Sequence, residues 1–500
     1  MFEGQPRGLW ALAFANTGER FGFYTMLAVF TLFLGENFGF SSSVSGSVFS
    51  VFLALTYFLP LVGGMAADRW GYSRMVVIGM VIMLLGYLLL SVPLGGKFLG
   101  VAAMGVALLL VSLGTGLFKG NLQVMIGDLY AEPQYAGKRD AGFSLFYMMI
   151  NIGALFAPTA AIMMMDWAME VGFSKADAYH FAFAVACVSV LLSMLIYYGG
   201  RFTFRHVVGI QGKTDASGAG QGAVAAENES DTRERIVCLC LVYAVVMFFW
   251  MAFHQNGLTL TWFADEYTAT VSRGWEAMMF DVTNLVAVIF IVFAAFSLSG
   301  SRTMKARAVS LAVIVASLCF LYYKYDPTAI VNVEAPIFQH FNPCFVVMLT
   351  PVSVAFFGLL AKKGWEPKSP VKIGLGMLVA AGAYLLMLVS SVGLPLPNYP
   401  SHVADVTPNL LVSTYLILTV AELLLSPIGI SFVTKVSPAK YKGTMMGGWF
   451  VATAFGNLLV SIPAFMWGMP LTYVWGTLMG ICLLAALFIF SIIKKLNRVS

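Results

Sequence analysis

Long apolar runs, each closed by a short polar stretch, repeat along the whole chain. A helix needs about 20 apolar residues to cross the hydrocarbon core of a bilayer. By that measure fourteen segments qualify, near 8–36, 45–67, 74–94, 98–120, 141–165, 179–199, 235–263, 282–299, 307–323, 341–361, 371–392, 409–433, 443–466 and 471–493. The pattern predicts an all-α integral membrane protein, and an even count places both termini on one side.

Charge chooses the side. With the N-terminus cytoplasmic, the outer loops hold four of the 29 Lys and Arg: Lys97, Lys175, Arg273 and Lys324. Arg20 and Lys119 lie inside spans, which leaves 23 for the inner loops and termini. That bias follows the positive-inside rule, and a miscount by one span would mix the two sets.

Composition agrees. Of 500 residues, 59% are hydrophobic and 11% charged, with a mean hydropathy of +0.84. A soluble domain carries about 25% charged residues. The net charge of +5 reads as basic inner loops, not as a nucleic-acid surface. There is no zinc-finger spacing, Walker loop or Arg-rich tail, and no cleavable signal peptide is expected at the N-terminus. Cys187, Cys238, Cys240, Cys319, Cys344 and Cys482 all sit in or beside apolar runs without a CxxC pair. They read as small buried hydrophobes, not as a disulfide framework.

One break in composition divides the chain. Residues 203–234 are rich in Gly, Ala, Ser and charge, the composition of a flexible linker. The expected domains are therefore 1–202, a six-helix bundle, the linker 203–234, and 235–500, a second bundle. Six spans, a linker and a further bundle suggest the major facilitator architecture, in which two halves rock about a midplane site. Two spans of the second half, near 282–323, are then additions.

A charge at the bilayer centre costs at least about 2.5–3.5 kcal/mol, so each one inside a span calls for a reason. Glu19, Arg20, Lys119 and Glu422 fall within predicted spans, and His254 lies at similar depth. Structural pairing would explain Glu19 and Arg20, snorkelling from a span end would explain Lys119, and a hydrogen bond to a neighbouring helix would explain His254. The alternative for all five is a water-filled pathway, with His254 as a proton site. Gly63, Gly64 and Gly71 surround Asp68 and Arg69 at the loop after the second span, a natural gate position. Pro60, Pro158, Pro351, Pro427 and Pro463 interrupt spans, as suits a rocking bundle.

Ordered motifs then carry a resemblance. They are Asn16 to Tyr24 against ExxERFxYY; Tyr57, Gly63, Gly64 and Asp68 against a Tyr followed by GGxxxD; and GLFKGN with Lys119. FYMMINIGAL with Asn151, Phe249-Trp250 with Gln255, Asn342-Pro343, AELLLS with Glu422 and Ser426, and MGGWF with Trp449 complete the series. In that order the chain resembles the proton-dependent oligopeptide transporter family of the major facilitator superfamily, across all twelve core spans.

The resemblance implies a proton-coupled symporter for di- and tripeptides in the bacterial inner membrane. It would have no enzymatic activity, cofactor, metal or obligate protein partner; small peptides and the bilayer would be its only partners. Lys119, helped by Arg20 and Asn151, would hold the peptide carboxylate, and Glu422 with Asn342 the α-amino group. Tyr24, Tyr57, Trp250 and Trp449 would line side-chain pockets, with Ser426 beside Glu422. Glu19, Glu422 and His254 would be the proton-coupling candidates, and Asp68 and Arg69 the gate.

Three departures bear on this. Asn16 stands where the family has its leading glutamate, His254 where bacterial members have an acid, and Phe23 where the first of two tyrosines is found. The added helix pair also falls after the seventh core span instead of before it. A carrier of another small solute, such as a peptide-like metabolite, a modified amino acid or nitrate, with altered proton coupling, is the competing reading. A membrane enzyme finds no HExxH, paired-acid metal motif or GxSxG on a suitable turn. A sensor that binds without transporting is the remaining alternative.

Overall fold

A computed structural model describes residues 4–94, 96–130, 132, 134–135, 139–205, 229–301, 303–397, 406–438 and 442–499. Fourteen of its helices are long and apolar enough to cross a membrane. The first bundle comprises α1 (Arg7–Phe38), α2 (Ser42–Trp70), α3 (Tyr72–Ser91), α4 (Lys97–Leu129), α5 (Arg139–Glu170) and α6 (Lys175–Gly200). Helix α1 packs on α5 and α6, while α4 packs on α2 and α3.

The seventh span is made of α7 (Glu229–Phe253) and α8 (Thr259–Tyr267), joined by a 3-10 turn at His254–Gly257. The expected linker reaches 234, but α7 already begins at Glu229, and residues 206–228 lie outside the described residues. Next come α9 (Val282–Gly300), α10 (Met304–Lys324), α11 (Phe341–Lys362), α12 (Ser369–Ser390) and α13 (Pro408–Val436). Helices α14 (Lys442–Leu459), α15 (Ser461–Phe465) and α16 (Leu471–Ser491) complete the second bundle. A 3-10 turn at Ala335–His340 leads into α11.

Helix α4 runs well past the predicted end of its span. The extension places Lys119 about ten residues, or roughly 15 Å, before the helix terminus. Lys119 is therefore held within a continuous helix and not at its frayed end.

The two bundles meet at the end opposite the termini. There a Cβ on Gly46 of α2 would lie 2.3 Å from the Cβ of Ala464 in α15, an approach only glycine permits. Thr31 of α1 donates to the Gly257 carbonyl at 3.4 Å, and the Gln339 amide donates to the Ala28 carbonyl at 3.1 Å.

The added pair, α9 and α10, packs against α11 and touches α5. Of α10 only Ser310 and Ser317 are buried, and Tyr322 and Tyr323 stand fully outward. Strand β1 (Val271–Arg273) pairs antiparallel with β2 (Ile330–Asn332), tying the chain entering the pair to the chain leaving it. Lys324 reaches Asp281 at 2.7 Å, and the Trp275 and Tyr325 rings stack 4.5 Å apart. Burial disfavours the charged form of Asp281, but bonds from Lys324 and Thr283 outweigh it and hold the carboxyl below its usual range. Two cysteines depart from expectation: Cys240 and Cys319 are exposed on the helix surface.

Candidate functional site

Consecutive side chains on a helix project about 100° apart, so an ion pair between them forms only where both bend toward each other. On α1, Glu19 is fully buried and Arg20 is 3% exposed. The Arg20 Nε donates to Glu19 Oε2 and Nη2 to Oε1, both at 2.5 Å. The guanidinium also lies 4.6 Å from the Phe23 ring centre. Buried charges persist when paired and hydrogen-bonded, and this pair meets that requirement internally. Asn16, one turn earlier, is buried, and its Nδ2 has no hydrogen-bond partner among the described residues.

Lys119 has a different setting. A Cβ on Gly63 would lie 2.3 Å from the Gly116 carbonyl oxygen, so α2 and α4 touch backbone to backbone here. Asn121 locks the crossing by donating to the Gly63 carbonyl at 3.1 Å. Gly64 meets nothing within 4 Å, and Gly71 serves a turn at φ +91°, so of the three glycines only Gly63 brings helices together. This crossing sets the Lys119 ammonium 4.0 Å from the Tyr57 ring centre, a cation–π contact. Among the described residues Lys119 forms no ion pair. Arg20 and Glu19 are its electrostatic neighbours. Asn151 of α5 is buried nearby in sequence to Tyr147, whose carbonyl accepts its Nδ2 at 3.0 Å.

The second bundle supplies the opposite charge. Glu422 on α13 is 6% exposed, and among the described residues it accepts only from neutral donors: Asn342 Nδ2 at 2.9 Å and the Tyr147 hydroxyl at 3.2 Å. Asn342 also donates to the Thr419 hydroxyl at 3.0 Å. The Tyr147 contact crosses from the first bundle to the second. Ser426, one turn on, has a buried hydroxyl without a partner among the described residues. Trp449 is buried and packs its ring on Gly429, where a Cβ would lie 2.2 Å from the indole. Tyr24 is half-buried and has Tyr57, Arg20 and Glu422 as electrostatic neighbours.

The break in the seventh span presents His254. Its ring stacks on Trp250 with centres 5.0 Å apart and a 20° tilt, and it faces Tyr57 at 6.1 Å. His254 Nδ1 lies 2.7 Å from Asn457 Oδ1 on α14. Gln255 is fully buried, donating to the Met251 and Val460 carbonyls, and holds the break together. The Trp250 Nε1 is buried without a partner among the described residues.

The structure thus gathers Glu19, Arg20, Tyr24, Tyr57, Lys119, Trp250, His254, Asn342 and Glu422 around the seam between bundles. Arg69 is exposed at the end of α2, and the side chain of Asp68 lies outside the described residues. Sequence reading missed Tyr147, Thr419 and Asn457. Tyr147 stood within the quoted FYMMINIGAL stretch, and Asn457 was signalled by an amide inside an apolar run.

Comparison with known proteins places this geometry. A 28% identity over 485 residues, covering 92% of this chain and 88% of the relative, links it to "Peptide transporter YePEPT" of Yersinia enterocolitica. A "Di-/tripeptide transporter" of Lactococcus lactis is 27% identical over 478 residues, with 90% and 87% covered. A crystal structure of a peptide transporter POT in complex with sulfate superposes with a TM-score of 0.74 at 24% identity, covering 100% of this chain and 96% of that one. A POT family transporter in complex with 5-aminolevulinic acid gives 0.73 at 19% identity, covering 99% and 98%. A profile described as POT family matches residues 73–217 and 326–468, more than half the sequence. With that match running through both bundles, the chain belongs to the POT family.

Proposed function

We propose that the chain is a proton-coupled symporter that imports di- and tripeptides by alternating access. The observation carrying this reading is the charge bookkeeping of the site. Glu19 and Arg20 cancel each other, whereas among the described residues Lys119 and Glu422 each lack an ionic partner, and they stand in different bundles. A peptide zwitterion supplies both missing partners. Its carboxylate would meet Lys119, with Asn151 beside it, and its ammonium would meet Glu422 and Asn342. A ligand that bridges the halves favours their closing together, which is the step alternating access needs. Tyr24, Tyr57, Trp250 and Trp449 offer aromatic walls that accept varied side chains.

Proton coupling is assigned to groups whose protonation changes these pairings: Glu19, which would release Arg20, together with Glu422 and His254. The 23-to-four bias of basic residues supports cytoplasmic termini in a bacterial plasma membrane. The packed end, opposite the termini, would then be the outer one, closed in this structure. Asp68 and Arg69 would lie at the inner gate.

The test is uptake of labelled dialanine into proteoliposomes with and without an inward proton gradient. Gradient-driven accumulation, abolished by excess unlabelled dipeptide, is expected. A folded preparation without dipeptide uptake would reject the reading in favour of a carrier for another small solute.

A further inference from the structure

We infer that Asn457 is a positioning residue that fixes the tautomer of His254 and ties it to the contact between bundles. This rests on the reading of His254 as a proton-coupling group.

The amide of Asn457 makes two contacts that cannot be exchanged. Its Nδ2 lies 3.4 Å from the Leu53 carbonyl oxygen on α2, which can only accept. The amide oxygen must therefore face His254, at 2.7 Å from Nδ1. An oxygen there accepts, so Nδ1 carries the hydrogen and Nε2 is left with the lone pair. A proton arriving at His254 binds at Nε2, and it does so without breaking the bond to Asn457. Asn457 is fully buried, so water does not compete for either contact.

The surroundings complete the argument. His254 is clamped on one face by Trp250 and faces Tyr57, whose other neighbour is the Lys119 ammonium. Lys119 of α4 is the charged group that faces His254, and Tyr57 of α2 the titratable one. The same 3-10 turn meets the first bundle twice more. Thr31 donates to the Gly257 carbonyl, and Phe49 lies where a Gly257 Cβ would come within 2.9 Å of its ring. Separation of α2 from α14 would remove the Leu53 acceptor, free the amide to turn, and release the tautomer. The protonation of His254 is thereby linked to closure of the seam.

Two measurements test this. The first is the pH profile of gradient-driven dialanine uptake for the wild type, Asn457→Asp and Asn457→Ser. A carboxylate at 457 stabilises the imidazolium, so Asn457→Asp moves the midpoint at least about one pH unit upward. Serine keeps an acceptor and moves it less. In a His254→Ala background Asn457→Asp moves nothing. An unmoved midpoint in Asn457→Asp, or an equal move without His254, would overturn the proposal. The second reads the ring directly, by nitrogen NMR of labelled histidine in the full chain in nanodiscs, with His254→Ala to assign one signal among five histidines. A neutral ring protonated at Nδ1 is expected, and one protonated at Nε2 overturns the proposal. This arm stands whether or not the chain carries dipeptides, so the two failures are distinguishable.

Discussion

The α1 side of the site and the α13 side treat a buried carboxylate in opposite ways. Glu19 is held by two nitrogens of its neighbour Arg20, and its charge is neutralised inside one helix. Glu422 is held by the Asn342 amide and the Tyr147 hydroxyl, which orient it but leave its charge uncompensated. The first arrangement is complete without a ligand, and protonation of Glu19 is what would open it. The second keeps a charge available, and Lys119 over the Tyr57 ring does the same for the opposite sign. Burial alone does not separate these roles; the charge of the partner does.

Substitutions can break this contrast. The largest effect belongs to Arg20→Gln, which strands a fully buried carboxylate. It is expected to cost about 3–5 kcal/mol of stability, seen as a lowered melting temperature in detergent, with Glu19→Gln in addition restoring most of it. Glu422→Gln and Lys119→Gln keep the fold but remove a ligand partner. Each is expected to weaken dialanine binding by about 2 kcal/mol or more, roughly thirtyfold, in calorimetry. Should either variant melt like Arg20→Gln while still binding peptide, the contrast fails. Gly63→Ala pushes a Cβ into the Gly116 carbonyl and separates Tyr57 from Lys119, at a cost of about 1–3 kcal/mol in melting experiments.

Smaller effects sharpen the same picture. His254→Ala is expected to alter the pH dependence of uptake more than the affinity at low pH, and an unchanged profile would return His254 to a structural role. The smallest concerns the added pair. Asp281→Asn removes the link to Lys324, a pair outside the residues gathered at the seam, so uptake stays within about twofold and stability within about 0.5 kcal/mol. A larger loss of uptake would give α9 and α10 a part in transport.

Much of this was legible in the sequence, for identifiable reasons. Apolar runs long enough to cross a bilayer are unambiguous, so all fourteen spans were found, and the ionisable residues inside them drew attention to the seam between the bundles. Boundaries were less legible. Helix α4 continues through polar residues after Lys119, and hydropathy cannot see a helix that leaves the apolar layer. The pairing of charges was not legible either. Glu19 beside Arg20 is written in the chain, but nothing in local sequence tells that Tyr147 reaches Glu422 across a separation of 275 positions. Asn457 was missed because its two partners, His254 and Leu53, come from distant segments and different bundles.

The central claim is that Lys119 and Glu422 hold opposite ends of one zwitterion. The most direct test is a coupling cycle that measures binding of dialanine, N-acetyl-dialanine and dialanine amide to the wild type, Lys119→Gln and Glu422→Gln. The account predicts that acetylation weakens binding to the wild type and Lys119→Gln but not to Glu422→Gln, while amidation is tolerated only by Lys119→Gln. Penalties that simply add, with each capped peptide losing the same factor in every variant, would contradict it.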